Sequence, residues 1–226
     1  MKRFYALLPV LWFLVTACCS GLPELKAGPD NPKIPLMEAC RAVFPEGKRQ
    51  FVHSIEASYP GGGENLLMGV TVIDAFSRTI DCALMTVEGF VLFRARMGRT
   101  IQVARAMPPF DRKGFADGLL EDLRVMFLAP AAQVTKTGIL AGDAVSGDRP
   151  VCRYSDPGGM ITDVIPGFDS RWQLRRYTPQ GRLVRTVDAQ SRGGRKGFPG
   201  KLILKAHGPA GYTLVMKLVD VVRIND

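Results

Sequence analysis

The chain has 226 residues, 46% of them apolar, with 30 Lys and Arg against 21 Asp and Glu for a formal net charge of +9. That apolar share is enough for a buried core and excludes wholesale disorder. No run of about 20 apolar residues occurs, so no membrane-spanning helix is expected, and with two histidines and no Cys-x-x-Cys spacing neither a zinc site nor any other cofactor is expected.

Lys2 and Arg3 precede a twelve-residue apolar run, Phe4 to Val15, which leads into Thr16, Ala17 and Cys18. A charged start, a short apolar stretch and small residues at a cut site are the parts of a secretory signal. With a cysteine at the cut, this segment resembles a bacterial lipoprotein signal with its lipobox. The resemblance implies that residues 1–17 are removed and that Cys18 is acylated and becomes the N-terminus. The alternative is an ordinary secreted protein cut after Ala17. A multiply acylated cysteine grips a membrane more firmly than a single chain does. Cys19, rather than an aspartate, follows, and by the enteric sorting pattern this implies the outer membrane, on its periplasmic face.

Residues 18–34 contain Pro23, Pro29 and Pro32 with Gly21 and Gly28, a composition expected of a flexible tether. One folded domain is expected over 35–226. Pro35 suits a first helical turn, which predicts a short helix from Leu36 to Phe44.

The apolar period then changes to two. Phe51, Ile55, Ala57 and Tyr59 share one face of a stretch whose other face carries Ser54, Glu56 and Ser58, the pattern of a half-buried strand. Further strands are expected near 66–73, 79–85, 90–96 and 100–105, joined by turns too short for anything but antiparallel pairing. Pro108 to Asp111 then supplies a breaker and an N-cap candidate. Phe115, Leu119, Leu123, Met126 and Phe127 make the apolar stripe of a helix of about 17 residues that Pro130 ends. Strand signal is weak at Val134 and Ile139–Leu140. It resumes near 151–155, 160–165, 172–177, 182–189, 201–206 and 212–224.

The expected fold is mainly β: a curved antiparallel sheet, a half-barrel, of about ten strands packed against one long and one short helix. A sheet of that size must curl or close, leaving a concave apolar interior that is either filled or open to a ligand. Leu84, Phe93, Val103, Leu119 and Leu123 are the residues expected to line it.

Charge is concentrated late in the chain. Arg171, Arg175, Arg176, Arg182, Arg185, Arg192, Arg195, Lys196, Lys201 and Lys205 stand against one acid, Asp188. A basic face there would attract phosphates, and outside the cytoplasm anionic lipid is the expected partner rather than nucleic acid. A solvated strand surface is the plainer explanation. Among Cys40, Cys82 and Cys152 at most one disulfide forms, and sequence does not choose the pair. No Gly-x-Ser-x-Gly elbow occurs. His53 lies on an apolar strand face, where a core or rim histidine is expected rather than a general base, so catalysis is not expected.

A lipobox, a proline-rich tether, a long antiparallel meander and one inserted amphipathic helix resemble the LolA/LolB-like lipoprotein-sorting superfamily. The stretches from Leu67 to Asp74 and from Pro109 to Arg124 are also similar to envelope lipoproteins placed near that group. The resemblance implies a half-barrel whose apolar cavity accepts acyl chains, and an exposed apolar loop residue that engages membrane, for which Phe76 and Val87 are the candidates. The expectation is therefore a monomeric, non-enzymatic lipoprotein that holds an acyl chain, lipid or lipoprotein cargo for transport or retention at the outer membrane. The alternative is a structural accessory that docks on an envelope complex through its basic face.

Overall fold

A computed structural model of the chain describes residues 21–27, 33–59, 64–141, 147–167, 171–190, 197–209 and 211–224. In chain order its elements are β1 (Leu25–Lys26), α1 (Lys33–Ala42), β2 (Lys48–Ser58), β3 (Glu64–Asp74), β4 (Thr79–Met85), β5 (Val91–Met97), β6 (Ile101–Ala106) and α2 (Phe115–Phe127). They continue as β7 (Val134–Leu140), β8 (Arg149–Ser155), β9 (Ile161–Pro166), β10 (Trp172–Tyr177), β11 (Leu183–Gln190), β12 (Lys201–Ala206) and β13 (Tyr212–Arg223).

All thirteen strands join one antiparallel sheet in the order β1-β7-β8-β9-β10-β11-β12-β13-β2-β3-β4-β5-β6. Its edges β1 and β6 do not pair with each other, so the curved sheet stays open. Period-two patterning explains the strands. In β4, Ile80, Cys82 and Leu84 are buried while Thr79, Asp81, Ala83 and Met85 are half-buried. Registers carry the same face across the sheet, with Ile55 opposite Met216 and Leu84 opposite Phe93. Sequence patterning foresaw about ten strands. The extra pieces are β1, which has no periodic signal, and β7, whose signal is weak.

Both helices lie on the concave face. The disulfide Cys40–Cys152 ties α1 to β8 across 6.3 Å between Cα atoms. Cys82 stays reduced and buried, and burial pushes its thiol up to about 12. Between Ile80 and Leu84 on the buried face of β4, it is a small apolar filler. The long helix is shorter than expected. Asp111 does not cap it: residues 107–114 form turns, and Gly114, at φ 83°, is the N-cap without a side-chain bond. Leu120, Leu123, Met126 and Phe127 are its buried apolar face. Burying each such side chain contributes about 1.5–3 kcal/mol, which is what holds a 13-residue helix together.

The expected flexible tether is corrected over its described part. Leu25 pairs with Leu140 and is 4% exposed. It joins Val151 and Ile165 in a second small apolar cluster. This cluster lies on the convex face, because Val151 and Ile165 alternate with the inward Cys152 and Val164. Upstream, Pro23 presents its carbonyl to Arg153 Nη2 at 3.0 Å, and Leu22 packs on Gly181 so closely that a Cβ there would come within 2.5 Å of the Leu22 nitrogen. Residues 22–26 thus form a strap from the β10–β11 turn to the edge of β7.

Candidate functional site: a helix-filled concave face

The concave face is built from the inward residues of the sheet and closed by α2. Leu84, Phe93 and Leu123 lie in the main core and Leu119 packs against it. These four expected lining residues come together. Val103 does not join them. It is opposite the buried Ala95 but remains 48% exposed, because β6 is an edge strand with no neighbour on its far side. The interior is filled by side chains. Two small cavities lie in it, one of about 30 Å³ between the C-terminal end of α2 and Tyr154, and one of about 20 Å³ between Phe127, His53 and Phe198. Each has room for a water or two.

The helix is also fastened by charge. Asp122, 1% exposed, accepts a bond from Arg185 Nε at 2.8 Å and another from the Tyr212 hydroxyl. Burial pushes the Asp122 carboxyl above the usual carboxylate range, against the pull of the Tyr212 and Arg185 hydrogen bonds. Burial, and then the Asp122 charge, push the Tyr212 hydroxyl up as well. The preceding residue, Glu121, binds Arg124 at 2.7 Å and Arg176 at 3.0 Å, and Arg176 reaches Asp156 at 3.3 Å. In the sequence, Glu121 and Asp122 fall off the apolar stripe of the helix, and nothing local signals their partners on distant strands.

That clamp corrects the expected basic face. Arg176 and Arg185 point into the concave side, onto acids of α2 and the β8–β9 turn, whereas Arg175 points the opposite way and donates to Gln173 at 2.8 Å. Neighbouring strand residues alternate sides, so Arg175 and Arg176 do not share a face. Arg171 and Arg182 are exposed near opposite ends of β10. Arg192, Arg195, Lys196 and the acylation candidate Cys18 lie outside the described residues. The described cations are dispersed over two faces.

His53 is 2% exposed and packs beside Phe51 and Phe127, with ring centroids 6.1 and 5.9 Å away. Its Nδ1 has no hydrogen-bond partner among the described residues. Burial lowers its pKa from 6.5 to about 4. Between those values the unfolded chain binds the extra proton, so stability falls as the pH drops through that window, by about 3 kcal/mol in total. His53→Leu should flatten this slope in urea melts at pH 7 and pH 4.5. An unchanged slope would show that His53 is not its source.

The fold has a relative of known structure. The crystal structure of a LolA superfamily protein from Nitrosomonas europaea is similar to this chain with a TM-score of 0.57 at 15% identity, over 85% of this chain and 93% of that one. The open, helix-closed antiparallel sheet is therefore a LolA-like fold. No family model matches the sequence, and no curated protein does.

Proposed function

We propose that this protein is a lipid-anchored envelope protein that takes an acyl chain, free or as part of a lipid or lipoprotein, between α2 and the concave sheet. Cys18 carries the anchor, the outer membrane's periplasmic face is the place of action, and no reaction is catalysed. One observation carries the reading: the apolar trough of an open sheet is covered by α2, a 13-residue helix that is also held down at polar contacts. Leu120, Leu123 and Met126 occupy the volume an acyl chain would take, so uptake requires α2 to lift. Its apolar face would then exchange contact with the sheet for contact with the cargo.

The packed interior also suits a structural accessory, which would dock through outward-facing cations such as Arg175 and Lys205 rather than through Arg176 and Arg185. A fluorescent fatty acid, dansyl-undecanoate, separates the two. Asp122→Ala leaves Arg185 and Tyr212 without their shared acceptor and loosens α2, at about 2–3 kcal/mol of stability. The wild type should bind the probe, and Asp122→Ala should bind it roughly tenfold more tightly, since a closed resting state lowers apparent affinity by its population. Probe binding to neither protein would favour the accessory.

A further inference from the structure

We infer that the docked strap fixes which rim of the sheet faces the bilayer: the rim bearing the β4–β5 turn and the β10–β11 turn, not the rim bearing Phe76. The inference rests on the proposed acylation of Cys18 and adds an interaction surface to it. Leu22 is held against Gly181 in the β10–β11 turn, and the Pro23 carbonyl is held by Arg153. Only four peptide steps separate Leu22 from Cys18. Fully extended they reach about 14 Å. The acylated end of the chain therefore cannot swing round the body, and the β10–β11 turn must lie close to the headgroups.

Strand registers say what shares that rim. Tyr177 pairs with Leu183 beside the β10–β11 turn, Arg185 with Ala206, Ala206 with Tyr212, Thr213 with Ser58, and Met68 with Met85. The β12–β13, β2–β3 and β4–β5 turns thus line up along one end of the sheet. That end carries exposed apolar side chains: Val87 is 57% exposed, Phe90 50% and Tyr59 46%. The Arg105 guanidinium lies 4.9 Å over the Phe90 ring, and Arg182 is exposed beside Gly181. Aromatic rings and arginines suit the headgroup layer of a bilayer, where rings partition and guanidiniums meet phosphates. The described acids at that end include Glu64, Glu88 and Asp156, the last paired with Arg176.

Phe76, 96% exposed in the β3–β4 turn, sits at the far end of the same strands. β4 alone separates it from Val87, so the two are roughly 25 Å apart along the strands. Both are apolar turn residues, and exposure alone would favour Phe76. The strap decides against it, because an anchor held near Gly181 brings the Val87 rim to the membrane and holds the Phe76 rim away.

The test uses the full chain, exported and acylated, in phosphatidylethanolamine–phosphatidylglycerol vesicles with brominated acyl chains, which quench tryptophan on contact. Val87→Trp and Phe76→Trp are compared, each in a Trp172→Phe background. Both sites are exposed, so neither change threatens folding. Val87→Trp should lose at least half its emission, and Phe76→Trp should be unchanged. Inserting a ten-residue Gly-Ser spacer between Ser20 and Gly21 should weaken the Val87→Trp quenching while leaving the protein membrane-bound. Labelled palmitate, incorporated by the wild type and not by Cys18→Ser, is the companion measurement. Without incorporation, the acylation reading and this inference both fall. With incorporation but with quenching at Phe76→Trp, or at neither site, only the inference falls.

Discussion

Replacing Arg153 with methionine should lower stability by about 3–5 kcal/mol, the usual consequence of removing one member of a buried ion pair. Asp163 is 0% exposed, and both its oxygens are held at 2.7 Å by Arg153 Nε and Nη2. The second nitrogen also holds the Pro23 carbonyl at 3.0 Å. Methionine keeps most of the packing of the arginine stem but strands the carboxylate without a counter-charge and releases the strap. In urea, with a slope of about 2 kcal/mol per molar, the midpoint should fall by roughly 2 M. Amide exchange across 22–26 should rise with it. The double change Arg153→Met, Asp163→Leu should recover most of the loss, because an apolar pair in place of a buried ionic one is often neutral or stabilising. A midpoint within about 0.3 M of wild type in the single variant would show that the pair contributes little.

Removing the Cys40–Cys152 disulfide should be of comparable size. The two cysteines are 112 residues apart, and a cross-link over such a span restricts the unfolded chain by about 5 kcal/mol in the chain-entropy account. Cys40→Ala with Cys152→Ala should therefore lower the stability by about 4–5 kcal/mol, and reductant should lower the wild type similarly. The loss should appear first around α1, whose fixed attachment to β8 is gone. A loss under about 1 kcal/mol would mean that the unfolded chain keeps the two segments together without the bond.

The strands were legible because the sheet repeats the simplest pattern in proteins. Ile80, Cys82 and Leu84 in β4 alternate with less buried neighbours, and the short turns around them leave only antiparallel pairing. The same alternation should have separated Arg175 from Arg176. Counting cations along the chain hides it, since charge totals ignore the pleat. Val103 alternated correctly with its neighbours, but alternation does not say where a sheet ends, and at an edge an inward-facing residue can still meet solvent.

What remained hidden depends on distant contacts. Leu25 and Lys26 are two residues in a proline-rich stretch, and only Leu140, Val151, Ile165 and Arg153 make them part of the body. Asp122 lies 63 residues from Arg185 and 90 from Tyr212, so nothing near it in the chain marks it as part of a buried clamp. The disulfide partner of Cys40 had no local sign either, whereas burial of Cys82 and His53 followed from their strand faces. The helix began at Phe115 rather than after Asp111 because 107–114 closes on itself in turns, with Phe110 N bonded to Met107 O at 2.7 Å.

The most direct measurement of cargo binding is native mass spectrometry of the protein without its acyl anchor, after incubation with phosphatidylglycerol vesicles and separation from them. One lipid or fatty acid should remain bound per chain, more fully in Asp122→Ala than in wild type. Protein that emerges empty in both forms, under conditions that keep it folded, would contradict an acyl-binding interior.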